Sequence, residues 1–307
     1  MNDFSAEYLS GHKDELLQHV KFIIPDYDVF IRGYDKNRLM AVCREHNFPH
    51  PLTFDLSEES LKEAAEGMNY PALIKPNITT GGRGFAKVEN PAELYEKYPK
   101  VFEQYGDCHL QEFIPAGGQQ YKVEIFMDAD GTVINSTVMN KLRFYPENGG
   151  SSCCSVSILR DDLVEICSSV LKEIGWEGFA DFDLIEDPRT GQIKIMEINP
   201  RVPACVRLSL VSGVNFASMI ADASLGKKLS TYKYLPGKTL RYMALDALWF
   251  IYSGRRFSTS PSWFKFFGSD TYWQEAGGGL AAMFIGSFSG LIKQLNPSFR
   301  KAKAGLR

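Results

Sequence analysis

The sequence predicts an α+β fold of about two domains. Segments with the helical period of apolar residues alternate with strands joined by short turns, a pattern typical of antiparallel pairing. The length of 307 residues corresponds to two domains at roughly 150 residues each. Hydrophobic residues make up 44% of the chain and charged residues 23%, as in an ordinary globular protein, which excludes an intrinsically disordered chain.

The predicted elements of the first half follow from local signals. Pro49 and Pro51 end a helix whose apolar residues share one face, and Asn90 with Pro91 and Glu93 has the pattern of a helix start. An apolar strand and its partner flank a glycine-rich loop at 77–84, which predicts a hairpin. In order, these elements are helices at 12–22 and 36–46, a short helix from Ser57 to Gly67, strands at 70–76 and 85–88, and a helix from Asn90.

The second half is richer in strands. Asp130-Gly131 is a typical hairpin turn between two of them, and Gly175 closes a helix that begins at Asp161. After about Gly226 the composition becomes aromatic and basic. In order, the elements are the strands HLQEFI, YKVEIFMD and TVINSTVMNKL, the helix 161–174, and two strands at 179–185 and 192–200 joined by the turn EDPRTG.

Charge, cysteines and hydropathy exclude several classes of function. A net charge of −3 gives no field that favours nucleic acid, so we expect no nucleic-acid partner. Six cysteines without a CxxC pair, and a start without the features of a signal peptide, indicate a cytoplasmic protein with reduced thiols. The longest uncharged stretch, 276–292, contains five glycines and is shorter than the ~20 residues of a membrane span, so we expect none.

Two C-terminal features leave alternatives open. The tail after Ile292 carries five positive charges and no acid; we interpret it as a frayed end, with contact to a phosphate or a membrane surface as the alternative. Seven aromatic residues are expected to pack as a core onto the rest of the chain, with a substrate or partner surface as the alternative. They are Trp249, Phe250, Trp263, Phe264, Phe266, Phe267 and Trp273.

The hairpin at 179–200 carries the first candidate site. Alternation places Asp181 and Asp183 on one face of a strand, and Glu197 and Asn199 on one face of its partner. Four hard oxygen ligands would suit Mg²⁺, which prefers carboxylates together with phosphate oxygens. The alternative is that these side chains face water from an ordinary hairpin.

A candidate phosphate site lies at the loop 77–84. Lys75 ends an apolar strand directly before this loop, whose glycines let backbone N–H groups approach an anion, and Arg83 adds charge. No GK[ST] follows the glycines, so the loop is not a Walker A motif. The alternative is a surface hairpin without a ligand.

These motifs in this order resemble the nucleotide site of the ATP-grasp superfamily, which includes biotin carboxylase, carbamoyl-phosphate synthetase and D-alanine–D-alanine ligase. The resemblance rests on IKP with the glycine-rich loop, QEFIPAGGQQYKV, and DFDLI followed by EINPR, and it covers residues 35 to about 226. Asp35-Lys36 resembles the start of an ATP-grasp core, and NKLRFYPENGG resembles a stretch of D-aspartate-ligase-type enzymes. It implies an ATP-grasp fold in which two α+β subdomains clamp a nucleotide.

The resemblance also implies the site residues and cofactors. ATP and Mg²⁺, with Mn²⁺ as an alternative, are the implied cofactors, and Asp183, Glu197 and Asn199 are the implied metal ligands. Arg201, Lys75 and Arg143 are the catalytic candidates. Arg143 and Arg207 are candidates for a substrate carboxylate because guanidinium groups bind this anion through two hydrogen bonds, and a surface or structural salt bridge is the alternative for both. Gln120 stands where the family commonly has a glutamate for the ribose hydroxyls. The implied nucleotide-binding residues are Lys36, Lys75, Gly82, Arg83, Gly84, Gln111, Glu112, Phe113, Ile114 and Gln120.

We therefore expect an ATP-dependent ligase that joins a small-molecule carboxylate to an amine through an acyl phosphate. Two alternatives stay open: a small-molecule kinase, because YKV also resembles inositol-phosphate kinases of this superfamily, and a nucleotide-binding subunit without turnover. The latter is favoured by the few residues before Asp35, and we expect a homo-oligomer or a companion subunit. The expected domains are a vestigial segment 1–34, a core 35–228 divided at 115/116, and an aromatic-rich extension 229–307 packed on the core.

Overall fold

The computed structural model describes residues 2–79, 81–147, 150–279, 281, 285–288 and 292, and it has an α+β architecture built on two sheets. The helices are α1 (Asp3–Gly11), α2 (Lys13–Leu16), α3 (Tyr27–Tyr34), α4 (Lys36–Glu45), α5 (Leu61–Gly67), α6 (Pro91–Tyr105), α7 (Asp161–Ile174), α8 (Arg207–Val211), α9 (Phe216–Ser224) and α10 (Met243–Tyr252). The strands are β1 (Thr53–Leu56), β2 (Ala72–Pro76), β3 (Ala86–Val88), β4 (Cys108–Glu112), β5 (Gln120–Met127), β6 (Val133–Tyr145), β7 (Ser151–Ile158), β8 (Gly178–Glu186), β9 (Ile193–Asn199), β10 (Thr239–Arg241) and β11 (Thr271–Trp273).

The smaller sheet has four antiparallel strands in the order β1-β4-β2-β3. Helices α5 and α6 cover it, and their apolar faces enclose a core that includes Ile74, Leu94 and Leu110. As predicted, α6 begins after Asn90, whose side chain accepts a hydrogen bond from the backbone N–H of Glu93 at 3.0 Å. The predicted hairpin around the glycine-rich loop is confirmed by the antiparallel pairing of β2 with β3.

The larger sheet has seven strands in the order β11-β10-β7-β6-β5-β8-β9. Strands β10 and β11 are parallel, and the other neighbours are antiparallel. Helices α3, α4 and α7 pack on it around buried Phe30, Leu39, Phe182 and Trp176. Helix α4 thus belongs to the core of the larger sheet, although it precedes the smaller sheet in the chain. The helix α7 ends as predicted at Gly175, which adopts φ 74°.

The N-terminal segment differs from the sequence prediction. In place of one helix at 12–22, the chain forms α1 and α2 and is non-helical from Val20 to Asp26. The reason is a capping box at Asn2 and Ser5, which starts α1 at residue 3 and buries Ala6 in the core of the larger sheet. These residues therefore pack on the sheet that carries the candidate metal ligands.

The C-terminal segment is attached through a buried ion cluster. Asp246 on α10 accepts hydrogen bonds from Arg143 of β6 at 2.7 and 2.9 Å and from Arg241 of β10 at 2.6 Å. All three side chains are buried, and the Trp263 and Trp273 rings lie over the Arg241 guanidinium. Charges at this depth persist because each has an opposite partner.

Two parts of the C-terminal expectations have different outcomes. The expectation that all seven aromatic residues form core is wrong for Phe264 and Phe267, which are exposed. The cationic tail at 293–307 lies outside the described residues. In the described part of the chain no single helix is long and apolar enough to cross a membrane; α8 with its preceding turn and α9, bent by 100°, together match a span by length and composition only.

Candidate functional site

A set of polar side chains lies on one face of the larger sheet, across three neighbouring strands. The register places Lys122, Asp183 and Glu197 directly opposite one another on β5, β8 and β9. Two residues along each strand, Glu124, Asp181 and Asn199 form a second row. Because residues two apart in a strand share a face, all six side chains project to the same side. The four oxygen-bearing side chains predicted from alternation are thus brought together.

Lysines pair with the aspartates of this face. Lys122 contacts Asp181 and lies 3.2 Å from the Asp183 carboxylate, and Lys141 of β6 contacts the other Asp183 oxygen. Burial would raise the pKa of Asp183, but the two ammonium groups outweigh it and hold this pKa well below its ordinary value. Asp183 is therefore an anion with two cationic partners.

The donor chemistry of the predicted ligands fits a hard cation. Asn199 uses its amide nitrogen to donate to Asp183 at 3.1 Å, which leaves its amide oxygen for another partner. Glu197 is about one-third exposed, and Lys36 lies 3.3 Å from its carboxylate. Two carboxylates and an amide oxygen suit Mg²⁺ when phosphate oxygens complete the coordination. A cation at Asp183 has to compete with Lys122 and Lys141 for the same oxygens.

The described side chains alone do not form a complete metal site. Across the residues that the structure describes, no group of three or more His, Cys, Asp or Glu side chains is arranged to hold a metal ion. The predicted set contains two such residues and one asparagine. The protein alone thus supplies an open, incomplete set of ligands, which suits an ion that arrives with a phosphorylated substrate.

Two lysines reach this face from the other side of the site. Lys36, at the start of α4, donates to the backbone carbonyl of Thr79 at 2.9 Å and pairs with Glu197. Lys75, at the end of β2, is buried and donates to the side-chain oxygen of Gln111 at 2.5 Å. Burial, together with the nearby Lys36 charge, lowers the pKa of Lys75 to about 8, although Glu197 opposes this. One predicted phosphate-binding lysine, Lys36, therefore contacts a predicted metal ligand.

The glycine-rich loop lies next to these lysines. Gly81, Gly82 and Gly84 all have φ between 64° and 78°, a conformation that side chains with a Cβ rarely adopt. The Thr79 hydroxyl donates to the Arg83 carbonyl at 3.1 Å across this turn. Because Lys36 bonds to Thr79, the loop is tied to Lys36 and, through it, to Glu197.

Gln111, the first residue of the predicted adenine segment, has a side chain that is bonded within the protein. This residue lies on β4, between β1 and β2 in the smaller sheet, and its side chain is buried. It accepts from Lys75 and donates to the Thr53 hydroxyl at 3.2 Å. Gln111 therefore holds Lys75 in place and does not present its side chain to a base. Glu112 is likewise engaged, by Lys194.

The remaining predicted nucleotide contacts are more accessible. Phe113 and Ile114 follow the end of β4 and are half-buried, and the Lys87 ammonium lies 4.7 Å from the centre of the Phe113 ring. Gln120 begins β5, where it is half-buried opposite Lys141. These three residues, unlike Gln111, have surface that a nucleotide can contact.

Arg201 lies two residues after the end of β9 and has a carboxylate partner that the sequence did not predict. Its Nε donates to the Asp3 carboxylate at 2.8 Å, and Asp3 is buried at the start of α1. Burial, with Asp3 and Glu7 nearby, raises the pKa of Tyr34 beside this pair. A small open depression borders Arg201 and is lined mostly by apolar side chains, among them Ile23 and Phe179.

The other two arginine candidates differ. Arg143 donates to both oxygens of Asp246 and to the Pro261 carbonyl, and only 1% of its surface is exposed. This does not fit the predicted substrate contact, because its donors already bind the protein. Arg207 begins α8 and has a buried Nε without a hydrogen-bond partner among the described residues, which leaves a role in binding a substrate oxygen open.

Sequence reasoning missed Lys141 and Asp3. Lys141 could have been found from the alternation of β6 and the predicted β5–β6 hairpin, which place it beside the acidic face. Glu124 is fully buried, and burial together with Asp181 raises its pKa to about 8, whereas Ser209 donates to it. No signal in the sequence pointed to Asp3, because its partner Arg201 lies about 200 residues away along the chain.

Comparisons with known proteins place this site in context. A family model described as the carbamoyl-phosphate synthase L chain, ATP binding domain, matches residues 35–232. D-aspartate ligase of Enterococcus faecium is 27% identical over 239 residues, which are 72% of this chain and 56% of that protein. The arginine-specific large chain of carbamoyl phosphate synthase from Lactiplantibacillus plantarum is 28% identical over 55% of this chain and 17% of its own.

Solved structures are similar in fold. Biotin carboxylase from Campylobacter jejuni, in a complex with beta-gamma-ATP, matches with a TM-score of 0.65 and 20% identity over 77% of this chain and 56% of its own. L-amino acid ligase from Bacillus licheniformis matches with a TM-score of 0.53 and 17% identity over 70% and 54%. The chain spans about half the length of these proteins and of the D-aspartate ligase, and less of the synthase.

Proposed function

Since the chain belongs to the family of carbamoyl-phosphate synthase L chain ATP-binding domains and has the ATP-grasp fold, we propose that it is an ATP-dependent ligase. It would join a small-molecule carboxylate to an amine. The observation that carries the proposal is the ion pair of Lys36 with Glu197, which joins a predicted phosphate-binding lysine to a predicted metal ligand. Cations for phosphate and oxygen ligands for a metal ion have to meet wherever the terminal phosphate of ATP is transferred.

The nucleotide would lie between the two sheets. Lys36, Lys75 and the backbone of Gly82–Gly84 would hold the phosphates, since these cations and N–H groups suit an extended polyanion. Phe113, Ile114 and Gln120 offer the surface for the adenosine. Gln111 and Thr53 act indirectly, because their hydrogen bonds fix the position of the Lys75 side chain.

Asp183, Glu197 and Asn199 would hold the divalent cation, which we propose to be Mg²⁺, with Mn²⁺ as the alternative. A bound cation would neutralise charge on the transferred phosphate. In this arrangement Lys122 and Lys141 have two roles: they keep Asp183 ionised, and they become available to phosphate oxygens when its carboxylate takes another partner.

Arg201 would hold the reacting carboxylate. A carboxylate oxygen attacks the γ-phosphorus of ATP, so that an O–P bond forms as the bond to ADP breaks. The amine nitrogen then attacks the acyl carbon, a C–N bond forms, inorganic phosphate leaves, and the amine loses a proton. The Asp3 carboxylate already binds Arg201, so the substrate carboxylate would have to displace it.

The domain division at 115/116 and 228/229, the cytoplasmic location and a companion subunit or homo-oligomer stay predictions. The site itself is testable on the chain alone. Its acceptor amine and its carboxylate are proposed only by class, since identity with the relatives stays below 30%.

Calorimetric titration with a non-hydrolysable ATP analogue, with Mg²⁺ or with EDTA, tests the proposal. We expect Mg²⁺-dependent binding that Glu197→Gln weakens at least tenfold and that Glu96→Gln, a matched change on the exposed face of α6, leaves unchanged. Release of ADP from ATP should then require both an acid and an amine. Equal, Mg²⁺-independent binding in both variants would refute the assignment, and ADP release that needs an alcohol and no amine would refute the ligase activity.

A further inference from the structure

The C-terminal segment presents several aromatic rings to solvent, and we call this surface the aromatic rim (residues 250–267). The exposed fractions are 78% for Phe257, 55% for Phe264 and 88% for Phe267. The Phe250 ring joins two of them, with ring centres 5.7 Å from Phe257 and 5.6 Å from Phe264. Ile251 is also exposed. Large apolar side chains grouped in this way indicate a surface that is covered by something.

The rim stands on a fixed base. The Trp263 ring stacks on Phe250 with centres 4.0 Å apart, and its indole N–H donates to the Asp246 carbonyl at 3.0 Å. Asp246 is in turn held by the buried Arg143 and Arg241. The exposed rings are therefore attached to the core of the larger sheet and are presented in a defined arrangement.

The charge of the rim has one sign. Residues 254–268 contain Arg255, Arg256 and Lys265 and no acidic residue. Two of these cations have an acidic partner outside the segment: Arg255 lies 3.2 Å from Glu147, and Lys265 lies 2.6 Å from Asp270. Aromatic rings interleaved with cations on exposed positions suit an anionic lipid interface, where the rings enter the headgroup boundary and the cations meet phosphates.

We propose that the aromatic rim binds the surface of an anionic lipid bilayer and attaches the protein to it peripherally. A second copy of the chain is the less suitable occupant, because a twofold contact would bring the same three cations together. This surface does not depend on the activity proposed above, since none of its residues belongs to the nucleotide site.

Sedimentation of the full chain with vesicles tests the proposal. Phosphatidylcholine vesicles with and without 30% phosphatidylglycerol are compared for the wild type, Phe257→Ser/Phe267→Ser and Phe102→Ser, the last being a matched change of an exposed ring on α6. We expect binding that needs phosphatidylglycerol, falls by at least about tenfold in the rim variant, and is unchanged in Phe102→Ser. Arg255→Gln/Arg256→Gln should lower it as well and make it less sensitive to salt.

Three outcomes would overturn the proposal: wild-type binding that does not depend on phosphatidylglycerol, a rim variant that binds vesicles as well as the wild type, or a loss of vesicle binding in Phe102→Ser equal to that in the rim variant. Sedimentation velocity without vesicles tests whether a second copy of the chain binds the rim instead. A dimer that dissociates on Phe257→Ser/Phe267→Ser, in a protein that does not bind vesicles, would assign the rim to a second copy. Thermal melting confirms that the variants are folded, so that loss of binding is a property of the surface.

Discussion

The charge of Lys75 should make nucleotide binding depend on pH in the range 7 to 9. This amine is buried against Gln111, and burial together with Lys36 lowers its pKa to about 8. Phosphate binding requires the ammonium form, whereas the ligand-free site increasingly holds the neutral amine as the pH rises. At saturating Mg²⁺ the bound cation keeps the terminal phosphate ionised in this range, so the charge of the triphosphate does not produce the same dependence.

The magnitude follows from the titration. With a pKa of about 8, roughly nine-tenths of Lys75 is charged at pH 7 and roughly one-tenth at pH 9. The apparent affinity scales with the charged fraction, so it should fall roughly tenfold between these pH values, or about 1.4 kcal/mol. The effect of pH on stability has the opposite sign. The unfolded chain binds the Lys75 proton more tightly than the folded chain does, so the free energy of unfolding without ligand should rise between pH 8 and 10.5.

The assay is titration of an ATP analogue at saturating Mg²⁺ at several pH values, with two lysine variants. Lys75→Met keeps the length of the side chain without its charge, so binding should be weaker and independent of pH. Lys100→Met, an exposed position on α6, should reproduce the wild-type profile. A flat wild-type profile, or a slope that survives in Lys75→Met, would refute the reasoning.

Three further predictions concern the charged partners of the site and of the C-terminal segment. Asp3→Asn removes the internal carboxylate on Arg201, so steady-state kinetics should show the KM of the carboxylate substrate falling several-fold with little change in kcat; an unchanged KM would mean that Asp3 does not compete with substrate. Lys141→Met takes one cation from Asp183, so calorimetry should detect several-fold tighter binding of Mg²⁺, and weaker binding would contradict the competition described here. Asp246→Asn leaves two buried guanidinium groups without a carboxylate and should lower the free energy of unfolding by about 3–5 kcal/mol in urea denaturation, whereas a loss below about 1 kcal/mol would contradict the burial of this cluster.

The parts of the fold that the sequence predicted are those with local causes. The β8–β9 hairpin follows from strict alternation and a turn, and that alternation alone placed Asp183, Glu197 and Asn199 on one side. The start of α6 and the end of α7 follow from a cap and a glycine. Each signal lies within a few residues of the structure that it specifies, so no knowledge of tertiary contacts was needed.

The remaining features depend on contacts between distant segments. Strand β1 is four residues long and was not recognised, yet its pairing with β4 makes β4 an internal strand and buries Gln111. The contact of Asp3 with Arg201 and that of Arg143 with Asp246 join segments about 200 and 100 residues apart. Such pairs leave no period in the sequence, and a buried arginine cannot be distinguished from a substrate-binding one without its partner.

The site pairs its own charges in a way that couples the two ligands. Glu197 has Lys36, Asp183 has Lys122 and Lys141, and these ions would be costly if left alone in a partly buried site. If a nucleotide alone bound the lysines, the carboxylates would lose their cationic partners. If a metal cation alone bound the carboxylates, the lysines would lose their anionic partners. When both bind, each released charge finds a new partner of opposite sign. Binding of metal and nucleotide should therefore be cooperative, and by reciprocity the analogue should tighten the binding of Mg²⁺ by the same factor as Mg²⁺ tightens the binding of the analogue.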